Sequence, residues 1–567
     1  MRAIKPKMII SLYVLSTFVF MSCNTGGDVA ADKVLYGGKI YTMNPGQPTV
    51  EAVACKDGKI IYAGGMDGLS KFRSDKTGEI DLKGATVFPG FIDVHLRLED
   101  VGRSTMQLNL EGTKSKEEIY KLVISRAIEL RKDLESEEKD IWVTGSGWDQ
   151  NDWENQEFPS FADLPSVNPV ILMRIDGQTA WLNERALRIA EIGKSTPDPP
   201  GGKILRDKYG YPNGILLNSA VKLVESRIPE YSEEQRKLWL TKGMEQCLEL
   251  GLTGIHNFGV DPDEFALLQE MNRQKELTLR IYPVLECKYR SWIAENIKNG
   301  PYGEPWDFLR LRAVKMFVDG PMGSRAAALF EPYNDEPGHC GLIEANEDTL
   351  LRHVKRSLEA GFQVCAYAVG DRGSKLALDI YEKVLSQVPV EDHRLRLEHA
   401  QLLAEKDFAR IGKMNVIPTI FPSQATSDMY WAEDRLGKDR IKRAYAWRTI
   451  LSNTEHYACG SEAPVESPNP LWSIYAAVTR QDHKGWPEGG WYAEQKMTRE
   501  EVIKGYTIEA AYAEFAEKYK GSIETGKLAD FTILDKDIFE IESAELLQTQ
   551  VKYTIIAGKI AYDDSMK

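Results

Sequence analysis

Histidine is scarce in this chain: eight occur in 567 residues, at positions 95, 256, 339, 353, 393, 399, 456 and 483. Any metal site built on imidazoles must draw on that short supply. Cysteine is sparse as well, seven in all with no Cys-x-x-Cys pair, which excludes zinc-knuckle patterns and a dense disulfide framework. Positive charge is in deficit: 71 Lys and Arg face 85 Asp and Glu, for a net charge of -14. Nucleic acid or an anionic lipid surface would be approached against the overall field. Internal repeats, low-complexity tracts and long like-charge runs are also missing. What is present is an ordinary globular balance, 43% hydrophobic, 28% charged and 10% aromatic, which rules out disorder as the main state. At roughly 150 residues per domain the length allows two to four domains and a large core.

The N-terminus has Arg2, Lys5 and Lys7 ahead of an uncharged apolar run from Met8 to Met21, the pattern of a secretory signal over residues 1–22. The run is short for a bilayer span. It ends in Phe-Met-Ser-Cys, which resembles a bacterial lipobox with Cys23 as the acylated first mature residue. Ordinary cleavage, with Cys23 lost or merely exposed, is the alternative. Residues 23–32 are small and polar, suited to a tether. A secreted lipoprotein of the cell envelope, on its periplasmic or outer face, is the expected localisation, with a lipid anchor at Cys23 as its membrane contact.

Residues 33–63 read as short strands, with Lys56-Asp57-Gly58-Lys59 as a hairpin turn. The far end has the same texture in 529–537 and 551–562, with Ala557-Gly558-Lys559 at a turn. These ends, 33–88 and 516–567, are expected to form one small composite β-sandwich. Between them, over 89–515, short apolar runs alternate with helical patterns such as 115–135 and 348–361, which argues for parallel β/α units. His95, Asp319, Asp371, His399 and Glu462 sit where strand-like runs end, the positions that carry chemistry in a (β/α)8 barrel. The less regular segment of about 105–240 reads as an insertion over the barrel mouth.

Several long stretches, in order, carry a resemblance: PGFIDVHLRL (89–98), GSGWDQNDW (145–153), VKMFVDGPMGSRAA (314–327), GFQVCAYAVGDR (361–372), RLEHAQLL (396–403) and CGSEAPVESPNPL (459–471). The chain resembles the amidohydrolase superfamily of metal-dependent barrel hydrolases, and most closely the branch of the N-substituted formamide deformylases. The resemblance implies a (β/α)8 TIM-like barrel with a small β-sandwich from both termini. It also implies hydrolysis of non-peptide, amide-type carbon–nitrogen bonds of a small molecule. The family's metal site is a His-x-His on the first strand, a Lys on the fourth, single His residues on the fifth and sixth, and an Asp on the eighth. Carried over, these positions are His95 and Arg97, Lys315, Tyr367, His399 and Glu462, so three of the six have changed. Two further family histidines, in Asp-Gly-His and Gln-Pro-x-His motifs, are Gln178 and Gln424 here.

Arg97 is the most damaging change. Its guanidinium stays charged, and a unit charge about 4 Å from a divalent ion is repelled by roughly 8 kcal/mol at an effective dielectric of about 20. A two-metal site is excluded on that ground. Two readings remain open. In one, His95, His399 and Glu462 hold a single divalent metal, zinc being the first candidate, with Lys315 in support and Glu462 as the catalytic base. In the other no metal binds: Arg97 pairs with Glu462, Lys315 pairs with another acid, and the barrel is a catalytically inactive lipoprotein that captures a small ligand or partner. Trp148, Asp149 and Trp153 are candidates for the substrate mouth, alongside Gln178 and Gln424, with core packing as the alternative for the tryptophans. Ser324 and Arg325 are candidates for holding an anionic group at a helix N-terminus, and Asp371 with Arg372 for an internal pair.

Overall fold

The computed structural model describes residues 30–133, 141–175, 178–228 and 231–566. The signal segment and Cys23 lie outside the described residues. Eight parallel strands form the central sheet in chain order: Phe91–Leu96, Leu252–Val260, Arg280–Leu285, Ala313–Phe317, Gln363–Ala368, Arg396–His399, Ile417–Ile420 and Ala458–Cys459. The first and last strands meet through a bridge between Leu96 and Ala463. There the Glu462 N–H donates to the His95 carbonyl at 2.7 Å and the Arg97 N–H to the Ala463 carbonyl at 3.0 Å. The sheet is thereby closed into a (β/α)8 barrel. Gly460 makes the seam possible, since a Cβ there would lie 2.9 Å from both the Asp93 carboxylate and the His95 nitrogen.

The helices around the barrel follow from spacing. In Glu347–Glu359 the buried Leu350, Val354 and Leu358 recur every four residues and face the barrel. Asn346 caps the first turn by accepting from the Asp348 N–H, and Gly361 at φ 82° ends the turn that follows. Helix Lys116–Asp133 likewise buries Ile119, Val123, Ala127 and Leu130.

Residues from both ends of the chain build one continuous sheet of eight strands. Its order is Lys559–Asp563, Val551–Ile556, Phe531–Leu534, Thr86–Pro89, Lys33–Tyr41, Thr49–Lys56 and Lys59–Gly64, with Gly78–Asp81 added beside Lys33–Tyr41. The far hairpin returns to the strand from the other terminus: Ile60 N–H donates to the Lys527 carbonyl, and Ala529 N–H to that of Gly58. The sheet is thus rolled around Leu35, Val53, Val87, Phe531 and Ile555. Both hairpins turn through paired positive φ, Asp57 with Gly58 and Ala557 with Gly558.

The insertion carries its own six-stranded sheet: Gly202–Arg206, Pro212–Asn218, Thr179–Leu182, Val170–Arg174, Val143–Trp148 and Leu108–Asn109. Its core contains Leu110, Val143, Trp148, Leu172, Trp181 and Ile215. Among the described residues no helix is long and apolar enough to cross a membrane.

Candidate functional site

Barrel interiors are ordinarily filled by branched apolar side chains. This one instead buries Asp93, His256, Arg396 and Glu398, each 1% exposed or less. Alternation along Arg396–His399 aims Arg396 and Glu398 to the same side. Glu398 receives the Arg396 guanidinium at 2.7 and 3.0 Å and His95 Nδ1 at 2.8 Å. Arg396 continues to His256 Nδ1 at 2.7 Å, and beyond it His256 Nε2 lies 3.7 Å from Glu514, which is paired with Lys520 at 2.8 Å. Burial alone would raise the Glu398 pKa, but Arg396 and His95 bring it down to about 2. Burial also lowers the His95 imidazole to about 4 despite Glu398, so it is neutral at ordinary pH. A Phe258 ring stacked 3.6 Å away fixes its plane. Asp93, raised to about 6 by burial, accepts from the backbone N–H of His95 and of Ser461.

At the C-terminal end of the barrel, His399 Nε2 lies 3.2 Å from Glu462 Oε1. Burial opposes both charges, and their mutual attraction overrides it: the His399 pKa is raised and that of Glu462 lowered. Both residues have left-handed backbone, φ 72° and 64°. That conformation is costly for a side chain of this size and is held where the surroundings over-determine it, often at functional sites. Gln424 donates its amide to the other Glu462 oxygen. Tyr367 meets the His399 ring edge-on at 4.4 Å, and burial keeps its phenol protonated, with a pKa well above the ordinary value. His399 Nδ1 has no hydrogen-bond partner among the described residues.

The structure thus brings together His95, His399, Glu462, Tyr367 and Gln424. Lys315 lies 5.5 Å from the Tyr367 ring centre and is paired with Glu286 at 3.5 Å, so it does have an acidic partner. Arg97 is not paired with Glu462. It turns to Asp100 at 3.1 Å, one turn into the helix Leu98–Thr105, with half of its side chain exposed.

Other sequence candidates fall elsewhere. Trp148 and Trp153 do not line a mouth: they are 0% and 4% exposed and stack on each other and against Trp181 in the core of the insertion. Asp149 is held by Arg174 at 2.6 Å and accepts from the Asn151 N–H. Gln178 opens the insertion strand Thr179–Leu182, its carbonyl accepting from Asn218. Ser324 and Arg325 lie in a turn and not at a helix N-terminus, and Arg325 is occupied by Asp335 and Glu336. Asp371 and Arg372 do not pair: Asp371 accepts from the Phe330 N–H and Arg372 donates to carbonyls of Cys340 and Gly341. Asp319 accepts three backbone N–H groups, of Ala328, Val369 and Gly370, and so fastens loops. Sequence reasoning missed Glu286, Arg396 and Glu398 as parts of the site. The available signal was two charges, Arg396 and Glu398, spaced by two in an otherwise buried strand.

The family's metal-ligand set does not assemble from these residues. Arg97 turns away to Asp100, Lys315 is engaged by Glu286, and Tyr367 replaces an imidazole with a protonated phenol. Among the described residues no three His, Cys, Asp or Glu side chains are grouped so as to hold a metal ion.

Residues 78–562 match a family profile described as "Amidohydrolase family". The chain is 34% identical over 542 residues to "Putative amidohydrolase YtcJ" of Bacillus subtilis, covering 94% of this chain and 99% of that protein. It is 24% identical over 556 residues to the N-substituted formamide deformylase of Arthrobacter pascens, covering 94% and 98%. Among solved structures, an uncharacterized metal-dependent hydrolase from Pyrococcus furiosus superposes with a TM-score of 0.73 at 28% identity, over 90% of this chain and 100% of that one.

Proposed function

Because this chain belongs to the amidohydrolase family, we propose that it hydrolyses an amide-type carbon–nitrogen bond of a non-peptide small molecule through a centre altered from the family's metal site. The observation that carries this reading is the His399–Glu462 ion pair, 3.2 Å apart at the barrel's C-terminal end. Glu462 accepts a proton from the water that attacks the carbonyl, and the His399 imidazolium gives its proton to the departing nitrogen. The products are a carboxylic acid and an amine. Transfer of the proton from Glu462 to the adjacent His399 restores the starting charges. Tyr367, kept protonated by burial, is the donor at hand for the developing oxyanion. The solved relative from Pyrococcus furiosus is described as metal-dependent, which supports a metal at this centre in the family, zinc being our first candidate; Arg97 and the protonated Tyr367 in place of ligands argue against that metal in this chain.

A second reading, a barrel that captures a small ligand without turnover, is favoured by the substitutions at Arg97 and Tyr367. A panel of N-formyl and N-acyl amines, assayed for released amine, separates the two. Turnover that Glu462→Gln lowers at least ~100-fold with the fold intact supports hydrolysis. Thermal stabilisation by panel members with no amine released from any of them supports capture and overturns hydrolysis. We also propose that the chain is a lipoprotein of the cell envelope anchored at Cys23, the support being the lipobox-like Phe-Met-Ser-Cys. Labelled fatty acid incorporated by the wild type and not by Cys23→Ser tests that anchor.

A further inference from the structure

A cavity of about 650 Å³ lies between helices Arg290–Asn299 and Glu347–Glu359. Its size falls in the range of small-molecule sites, ~300–1,000 Å³. Ile293, Ile297, Met316, Phe317 and Leu350 give it an apolar lining. Lys288, Arg290, Lys298, Arg352 and Arg356 also line it, against one carboxylate, that of Glu344. His353 offers little to a ligand, because its Nε2 is spent on the Lys315 carbonyl at 3.0 Å.

Five cations gathered around one carboxylate invert the charge balance of the chain as a whole. Acids outnumber bases in the chain, and its guanidiniums readily find them: Arg236, Arg394 and Arg410 each engage two or more carboxylates. Among the described residues none of the five cations around the cavity has an ion pair; Arg352 donates to the Thr349 hydroxyl and Lys288 lies over the Tyr289 ring. An apolar trough ringed by uncompensated positive charge is complementary to a molecule with the opposite arrangement. A planar nucleotide base would find one ring, Phe317, already stacked on Tyr367 at 4.8 Å. A flexible chain needs no such face.

We propose that this groove binds a single-chain amphipathic anion, its hydrocarbon on the apolar lining and its carboxylate or phosphate head among Lys288, Arg290, Lys298, Arg352 and Arg356. The site is separate from the His399–Glu462 pair, although a run of ring contacts, Phe317 to Tyr367 to His399, connects them.

Calorimetry on the full chain with dodecanoate and dodecyl phosphate, below their critical micelle concentrations, tests the proposal without reference to turnover. Failure here leaves the hydrolase reading untouched, and the converse also holds. Saturable binding of either probe is expected, tightening roughly two- to fourfold per methylene from the ten- to the twelve-carbon chain. Arg352→Glu with Arg356→Glu should weaken it at least tenfold, and Ala294→Trp, which fills the groove from an exposed helix position, should abolish it. Relative tightness of the two probes identifies the preferred head. Dodecanol binding as tightly as dodecanoate, unaltered binding by the variants, or no saturable binding of either probe overturns the proposal.

Discussion

Arg97 is held by Asp100, Nη1 to Oδ2 3.1 Å, across one turn at the start of the helix Leu98–Thr105. The guanidinium is therefore drawn towards solvent, and the charge that Glu462 meets at contact distance is that of His399. Arg97 thus contributes no ion pair to Glu462, whose close partner is His399.

Restoring the family's residues should restore metal affinity. Arg97→His, Tyr367→His and Glu462→Asp together are expected to bring elemental analysis of the purified protein to about one divalent metal per chain, with the unmodified protein well below that. A metal-free triple variant after soaking would show that the backbone of the site, and not only its side chains, has changed.

The His399–Glu462 pair has a defined pH window. The raised His399 pKa contributes stability fully present below its ordinary value of 6.5 and lost as pH rises through the folded value. The lowered Glu462 pKa contributes stability present above 4.5 and lost as pH falls through the folded value. Both contributions overlap fully between those two ordinary values. Thermal melts of the wild type minus Glu462→Gln across pH 3–9 should show the largest difference in that interval. A difference independent of pH would mean that the pair is not charged.

Arg396 and Glu398 are both fully buried, so losing one strands the other. Arg396→Met should cost ~3–5 kcal/mol in denaturant unfolding, and adding Glu398→Gln should recover part of that loss. Additive costs would argue that the two side chains are not coupled.

Glu264 is 7% exposed, and burial, reinforced by Glu99, raises its pKa to about 8 against the hydrogen bond from Asn257. The folded state holds this proton more tightly than the unfolded chain. Its contribution is present at low pH and is lost as pH climbs from about 4.5 towards 8. Glu264→Gln should therefore gain stability relative to the wild type on going from pH 5 to pH 8, on the order of a few kcal/mol. Parallel pH profiles would sink this assignment.

Much of the architecture was legible because it rests on local chemistry. Asp57-Gly58 and Ala557-Gly558 occupy the positive φ that two-residue hairpins require, and the fourfold spacing of Leu350, Val354 and Leu358 writes out a helix. His95, His399 and Glu462 were readable as strand ends. What was not readable depended on where long side chains go. Arg97 had two acids in reach, and the helix beginning at Leu98 offered Asp100 first. Trp148 and Trp153 suggested a binding mouth, but an insertion with its own sheet needs its own core, and they supply it. The Arg396–Glu398–His95 chain was invisible as a network because its partners are about 300 residues apart, His95 and Glu398 by 303.

The rolled sheet sets a timetable for biosynthesis. Phe91 N–H donates to the Thr532 hydroxyl, a partner 441 residues further along. At about 5–20 residues per second, the N-terminal strands wait roughly 20–90 s for the strand that completes them. During that interval Thr86–Pro89 has an unsatisfied edge, since its later neighbour Phe531–Leu534 does not yet exist. The nascent chain must be kept from pairing that edge elsewhere until its last fifty residues arrive, and a stop before Phe531 would leave the Thr86–Pro89 edge without its partner.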